Sequence, residues 1–225
     1  MRIVDASESS VIAYLGDKPT SDTSEKIFGL AEELKAGMTN SLVDLIPSYN
    51  SLLVIFDPLE TDHLAVRKIL LEAASMKNRL VMDSCKRVIL PVYYHEEVGE
   101  DLLDLATKKR LSIDELISLH SNRDYRVYAI GFAPGFAFLG EVDERLEAPR
   151  LSTPRSSVPR GSVAIADLQT AVYPSKSPGG WNLIGRCPTQ MFDPISPPFM
   201  PCRVGDTVRF EAIDRKTYLS LGGAL

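Results

Sequence analysis

The sequence predicts a protein of two parts: an α+β N-terminal domain, with helices on one face of an antiparallel sheet, and a mainly β C-terminal domain. The length of 225 residues suits one large domain or two small ones. Of the 14 glycines and 15 prolines, 10 and 11 fall in the last 95 residues, from Gly131 onward. Both residue types favour turns and weaken helix interiors, so the two parts should differ in architecture.

Strand and helix patterns alternate in the first part. One helix is predicted from Ser21 to Gly37 because its apolar residues recur at helical spacing, and a second is predicted from about Thr61 to Lys77. Strands are predicted at Arg2–Ala6, Val11–Leu15, Leu42–Ile46, Leu52–Phe56 and Arg87–Tyr94. The order ββαββαβ indicates a small α+β domain, which we place at residues 1–90.

A strand end and a helical connector follow at residues 91–123. One helix is predicted at Gly99–Lys109, and a second opens at Ser112 with a capping box to Glu115 and ends near His120. Residues 124–225 then show short apolar runs between turn signals, at Arg126–Ile130, Ser162–Ala166, Thr170–Tyr173, Trp181–Gly185 and Thr207–Ile213. Such regular short strands predict a sandwich or a closed barrel.

Charge and hydropathy exclude several function classes. The net charge is −5, so the chain has no general attraction for nucleic acid or for an anionic membrane surface. No apolar run approaches the roughly 18 residues of a membrane span. The N-terminus, with Arg2 and Asp5, is charged too early for a secretory signal. We therefore expect a cytoplasmic protein.

The cysteines and histidines do not predict a metal site. Cys85, Cys187 and Cys202 are far apart and include no C-x-x-C pair, which argues against both a disulfide framework and a zinc knuckle. The three histidines have no ligand-type residue at helical metal spacing, so we interpret them as surface or core residues: His63, His95 and His120.

An aromatic loop is the first feature that could carry chemistry. Residues 131–140 hold three glycines, a proline and three phenylalanines. Such a loop suits a pocket wall or a partner's docking surface, and equally an aromatic core at the end of a barrel.

A Pro-Arg dipeptide recurs every five residues and ends in Arg150, Arg155 and Arg160. Proline holds the backbone extended, and the planar guanidinium fork suits carboxylate or phosphate. The repeat is either a local anion-binding site or a solvated loop.

Further along, Ser177–Trp181 joins a Gly-Gly pair to the only tryptophan, which suits a close backbone approach. The spacing of Gly180 and Gly185 imitates a phosphate-binding loop. However, Arg186 and Cys187 replace the required Lys and Ser/Thr, and Pro188 follows where a long helix is needed. We do not expect a Walker site.

These features together predict a substrate or partner groove on the β domain. Its residues are Phe132, Pro134, Gly135, Phe136, Arg150, Arg155, Pro178, Gly179, Gly180 and Trp181. No catalytic triad motif is present, so the catalytic residue stays unassigned, with His120 and Arg155 as candidates. The residues alone leave an enzyme and a binding module equally open.

A long series of motifs in one order resembles the family called allophanate hydrolase subunit 1, also known as the KipI family or as the B-subunit of bacterial 5-oxoprolinase. The resemblance covers roughly Pro91 to Phe210. It rests on Gly131-Phe132-x-Pro134-Gly135-Phe136, Pro149-Arg150, Pro154-Arg155, Val158-Pro159-x-Gly161-Ser162, Ser177-Pro178-Gly179-Gly180-Trp181 and Gly205-Asp206-x-Val208.

The resemblance implies a cyclophilin-like barrel for the C-terminal domain. It also implies two partners: a KipA-like C-subunit (allophanate hydrolase subunit 2) and a LamB/YcsF-type A-subunit. The complex would use ATP to open 5-oxoproline to L-glutamate. A lactam is unreactive, so ATP must activate it, and Arg150 and Arg155 would suit the carboxylate or a phosphorylated form.

Two departures from the family pattern could retune the ligand. Arg160 stands where a small residue is expected, and Arg186-Cys187-Pro188 replaces a more usual Gly-x-Thr. Two other functions stay open: an inhibitor of a sporulation histidine kinase, and a carboxyltransferase-like subunit related to urea carboxylase. The neighbouring genes would discriminate between them, through a LamB/YcsF gene, a sporulation kinase or a biotin carboxylase.

Overall fold

The computed structural model describes residues 1–17, 20–75 and 85–225. The chain forms two compact units, Met1–Cys85 and Lys86–Leu225. The first unit has helices on one side of an antiparallel sheet, and the second is a nearly closed barrel, which confirms the predicted fold class. Within the described residues, no helix is both long enough and apolar enough to cross a membrane.

The first unit is a four-stranded antiparallel sheet in the order β1-β2-β4-β3. Its elements are β1 Arg2–Ser7, β2 Ser10–Tyr14, α1 Ser21–Gly37, β3 Leu42–Pro47, β4 Ser51–Phe56 and α2 His63–Ser75. Alternate residues of the two central strands, such as Val11 and Val54, pack with both helices in one apolar core, as the period-2 patterns require. The predicted end of the second helix, at residues 76 and 77, lies outside the described residues.

The second unit is built mainly of short strands, with short helices between and after them. Its elements are β5 Arg87–Val92, α3 Leu102–Lys109, α4 Ile113–Ser121, β6 Asp124–Ile130, β7 Ala137–Gly140, β8 Arg155–Val158, β9 Ser162–Ala166, β10 Gln169–Val172, β11 Ser177–Gly179, β12 Asn182–Arg186, β13 Thr207–Ala212 and α5 Arg215–Ser220. Seven strands form one sheet in the order β12-β9-β10-β7-β6-β13-β5, and β8 pairs with β11 in a separate ribbon.

The two edges of the seven-stranded sheet meet. Tyr93, just after β5, exchanges two backbone hydrogen bonds of 2.9 Å with Arg186 at the end of β12. Neighbouring strands are antiparallel except β5 and β13, which are parallel. The sequence alone was compatible with either a sandwich or a closed barrel. This contact between the two edge strands shows that the sheet forms a barrel.

The position of β5 corrects the predicted topology. The sequence assigned Arg87–Tyr94 to the first sheet, but the strand pairs with β13 and contributes Leu90 and Val92 to the barrel core. Helices α3 and α4 bury Leu105 and Leu116 in that same core. The predicted connector is therefore part of the second unit, and the predicted division after residue 90 falls inside a strand.

Three short strands and one short α-helix were not predicted. Strands β8 and β11 have only four and three residues, and β7 lies within the glycine-rich aromatic loop. Helix α5 has a readable cap, because the Thr217 N–H donates to the Asp214 carboxylate at 2.7 Å. The three strands β7, β8 and β11 are stabilised by pairing with other strands, and a local sequence pattern does not show such pairing.

Candidate functional site

The aromatic residues lie on the outer face of the barrel, above a bed of small side chains. Strands β9 and β10 turn Ala164, Ala166 and Ala171 toward this face, opposite the barrel interior. Because alanines leave room, large rings can lie directly on the sheet. The sequence left a pocket wall, a docking surface and a core as alternatives for the loop. In the structure Phe136 lies in a buried aromatic cluster, and Phe132 and Phe138 line a cavity beside it.

Phe136 is the centre of the aromatic cluster. Its ring is 2% exposed and meets the rings of Tyr173 and Trp181 edge to face, with centroids 5.3 and 5.6 Å apart. Phe138 packs against it at 4.9 Å. Such pairs contribute about 0.5–1.5 kcal/mol each beyond their buried area, so they fix the rings in place.

The aromatic loop is closed by its own backbone. The Gly131 N–H donates to the Phe136 carbonyl at 3.1 Å, and the Phe136 N–H donates to the Ala133 carbonyl at 3.0 Å. Gly135 has a φ of +88°, and a Cβ there would lie 2.7 Å from the Met191 carbonyl oxygen. Phe132 also has a positive φ, of 72°, and is 69% exposed. The loop therefore presents one phenylalanine to solvent and buries another.

The Gly-Gly pair makes the opposite wall. A Cβ on Gly179 would lie 2.2 Å from the Tyr173 hydroxyl, so this position has no space for a side chain. The Leu151 N–H donates to the Gly180 carbonyl at 2.7 Å and ties the segment to the Pro-Arg loop. The close backbone approach that the sequence predicted is present here.

A cavity of about 120 Å³ lies between these walls. It is lined by Phe132, Phe136, Phe138, Arg150, Tyr173, Pro178, Gly179, Gly180 and Trp181. Seven of these nine residues belong to the predicted groove. Phe138 and Tyr173 were missed, although Tyr173 lies two residues after Ala171 and therefore on the same outer face of the barrel, so that it could have been found from that alternation.

Arg150 is the cation of this cavity. Its guanidinium carbon lies 5.9 Å from the centre of the Trp181 ring. Among the described residues, no carboxylate lies within ion-pair distance of this guanidinium. An exposed arginine over an aromatic face keeps its fork free for an incoming anion.

Arg155 does not line the cavity, unlike Arg150. Its guanidinium contacts the carboxylates of Asp101 at 2.7 Å and Glu100 at 3.1 Å. The other oxygen of Asp101 accepts the Leu183 N–H at 2.6 Å. Arg155 also donates to the Trp181 carbonyl at 3.5 Å. The side chain therefore joins β8 to β12 and to the start of α3.

His120, the other catalytic candidate, lies in the barrel core with no exposed surface. Its Nε2 is 2.8 Å from the Thr170 hydroxyl, which itself donates to the Ala164 carbonyl at 3.0 Å. Because that hydroxyl has only one hydrogen, Nε2 carries the imidazole proton and Nδ1 accepts from the Tyr94 hydroxyl at 2.8 Å. Burial lowers the pKa of His120 to about 3. The ring is neutral and does not line the aromatic cavity.

The remaining predicted positions are distributed around the site. Pro134 and Gly135 shape the aromatic loop without lining the cavity. The family departures also lie outside it: Arg160 is exposed in the turn before β9, and Arg186 donates to the Ala224 carbonyl at 3.0 Å. Gly180 lies just before strand β12, and Gly185 lies within it. This segment therefore forms no phosphate-binding loop.

Elsewhere in the described part of the chain there is a second, larger hollow of about 370 Å³ beside β5 and β13. Arg87 and Arg209 both line it, and both lie near the carboxylate of Asp124, at 2.8 and 3.6 Å. This shared carboxylate offsets their charge. No group of three or more metal-ligating side chains occurs among the described residues.

Comparison with known proteins places this geometry in a family. The family described as carboxyltransferase domain, subdomain C and D, matches residues 1–202. The B-subunit of 5-oxoprolinase from Bacillus subtilis is 36% identical over 94% of this chain and 92% of its own length.

Solved structures share the fold of this chain. The crystal structure of TTHA0988 superposes with a TM-score of 0.82 at 34% identity, covering 91% of this chain and 40% of that one. The present chain therefore spans less than half of that protein. The urea amidolyase of Kluyveromyces lactis shares the fold, with a TM-score of 0.74 at 16% identity over 97% of this chain and 15% of its own. The chain belongs to the family of carboxyltransferase subdomains C and D that includes the bacterial 5-oxoprolinase B-subunits.

Proposed function

We propose that this chain is the B-subunit of an ATP-dependent 5-oxoprolinase, which opens 5-oxoproline to L-glutamate. Its partners would be a KipA-like C-subunit, of the allophanate hydrolase subunit 2 type, and a LamB/YcsF-type A-subunit. The observation that carries the proposal is the match to a protein named as the B-subunit of 5-oxoprolinase over nearly the whole of both chains. Two further relatives of the same name match at 36% and 37% identity.

The site chemistry agrees with a small anionic substrate. 5-Oxoproline carries a carboxylate on a compact ring, and the cavity offers the Arg150 guanidinium, which has no ion-pair partner among the described residues, between aromatic walls. The lactam bond itself resists hydrolysis, which is why ATP is required to activate it. Arg150 would bind and orient an anion, since a charge-assisted hydrogen bond is stronger than a neutral one.

In this proposal ATP is used at the level of the complex and is not bound by a Walker site on this chain. The one segment of this chain with phosphate-loop spacing runs into strand β12 instead of a loop and helix. A strand has its backbone N–H groups paired with neighbouring strands, so they are not available to cradle phosphates.

The family description favours a second candidate, a carboxyltransferase-like subunit that works with a biotin carboxylase. One experiment separates the two. Deleting the gene in its own organism should cause 5-oxoproline to accumulate, and restoring the gene should reverse the accumulation. If 5-oxoproline stays at its normal level while a biotin-dependent carboxylation is lost, the 5-oxoprolinase assignment is wrong.

A further inference from the structure

We infer that the aromatic cavity binds a small cyclic carboxylic acid, with the carboxylate on Arg150 and the ring against Phe136 and Trp181. The class of ligand follows from the cavity. The choice of 5-oxoproline as the natural member of that class rests on the proposed function.

The size of the cavity selects a single ring. A cavity of about 150 Å³ lined by apolar side chains accommodates benzene, and this one measures about 120 Å³. A five-membered ring with one carboxylate matches such a space, whereas a nucleotide or a peptide segment does not. Typical sites for larger ligands begin at about 300 Å³.

The walls are fixed before any ligand arrives. Phe136 and Trp181 are 2% and 5% exposed and meet at right angles. Gly179 lies against the buried Tyr173, which leaves this wall no space to move inward. Because the rings are already ordered, a ligand loses little free energy in arranging them.

The charge at the site selects an anion. Arg150 is exposed and lies over the Trp181 ring, with no ion-pair partner among the described residues. Arg155, the neighbouring arginine of the Pro-Arg repeat, is occupied by Asp101 and Glu100. Arg155 therefore acts as a positioning residue through its contact with the Trp181 carbonyl, while Arg150 is available to the ligand.

The single tryptophan makes binding directly measurable. Since Trp181 is the only tryptophan and lines the cavity, tryptophan fluorescence of the full chain, excited at a wavelength that the eight tyrosines do not absorb, reports on this site. Titration with L-5-oxoproline or cyclopentanecarboxylate should give a saturable change. 2-Pyrrolidinone, which has the lactam ring without the carboxylate, should bind at least about tenfold more weakly.

Two variants locate the charge. Arg150→Gln should weaken carboxylate binding by at least about tenfold while leaving the melting temperature unchanged, because the side chain is exposed. Arg160→Gln, which removes another exposed arginine of the same repeat outside the cavity, should leave binding unchanged.

The inference is overturned if neither cyclic carboxylate changes the fluorescence saturably, or if Arg150→Gln binds as tightly as the natural chain. Its failure is distinguishable from failure of the proposed function. Binding of cyclopentanecarboxylate without 5-oxoprolinase activity in the assembled complex supports the site and contradicts the function. Activity of the complex without binding to this chain supports the function and contradicts the site.

Discussion

At the level of single residues, Arg150 and Arg155 differ in their partners and in their exposure. Arg155 has a side chain 22% exposed and faces an Asp101 side chain that is 12% exposed. If this ion pair is broken, the largely buried carboxylate of Asp101 loses its charged partner. Arg150 has no such structural duty, so the anion-binding role that the sequence assigned to both remains a prediction for Arg150.

Arg155→Ala should therefore lower stability. We expect the free energy of unfolding to fall by about 1–3 kcal/mol, the usual cost of leaving a buried polar group without its partner. Denaturant unfolding measures this, with Arg160→Ala as the control that should change stability by less than about 0.5 kcal/mol. Equal stability of both variants would show that the Asp101 contact contributes nothing.

His120 should make folding sensitive to mild acid. Its pKa is about 3 in the folded chain and 6.5 in an unstructured peptide, so between these values only the unfolded state binds the proton. The contribution of His120 to the free energy of unfolding is therefore fully present well above pH 6.5, and it decreases as the pH falls toward 3. From pH 7.5 to 5.5 the loss should be about 1.4 kcal/mol.

The variant His120→Gln isolates this effect, because it keeps a polar side chain but does not titrate. It should be less stable than the natural chain at pH 7.5, yet lose less stability between pH 7.5 and 5.5. Parallel pH profiles for the two chains, measured by denaturant unfolding, would rule out His120 as the source of the acid sensitivity.

At the scale of elements, the site depends on short strands held by close backbone packing. Gly179, in β11, lies under the Tyr173 hydroxyl, and β11 pairs with β8. This ribbon supplies one wall of the cavity, so its position controls the shape of the site.

Gly179→Ala should destabilise the chain by about 1–3 kcal/mol, because the added methyl must displace a fully buried tyrosine ring. Gly131→Ala is the matched control, since a Cβ there meets nothing within 4 Å. Thermal unfolding of the two variants compares them directly. If the Gly179 variant has the same melting temperature as the control, the tyrosine ring moves aside without a cost in free energy.

The elements also show which parts of the fold were readable from sequence. Long periodic segments such as Ser21–Gly37 and the capping box at Ser112 were predicted at nearly their observed bounds. Strands β8 and β11 were not, because each depends on a partner about twenty residues away and has no periodicity of its own. The sheet membership of β5 was missed because parallel pairing with β13 joins residues some 120 positions apart.

Much of the candidate site was also predictable, because most of its residues lie in short local sequence motifs. Glycine, proline and aromatic clustering identified seven of the nine residues that line the cavity. The pairing of Arg155 with Asp101 and the burial of His120 could not be read, because both depend on contacts between elements distant in sequence.

At the scale of the whole molecule, the structure changes the expected folding unit. A fragment of residues 124–225, which the sequence suggested as an independent domain, lacks β5 and the core residues of α3 and α4. A fragment of residues 86–225 contains the complete second unit. The longer fragment should melt cooperatively, and the shorter one should not.

Circular dichroism of the two fragments tests this expectation. A β-rich, cooperatively melting fragment 124–225 would show that the barrel closes without β5, contrary to the packing of Leu90 and Val92 in its core. Loss of cooperativity in both fragments would show that the barrel needs residues 1–85.

We have proposed that this chain is one component of an ATP-dependent 5-oxoprolinase. The measurement that tests it most directly is glutamate formation from 5-oxoproline by purified proteins from the same organism. We expect no turnover by this chain alone, and ATP-dependent turnover once the KipA-like and LamB/YcsF-type partners are added. If the single chain gave full turnover, or the complete mixture with ATP gave none, the proposed role would be wrong.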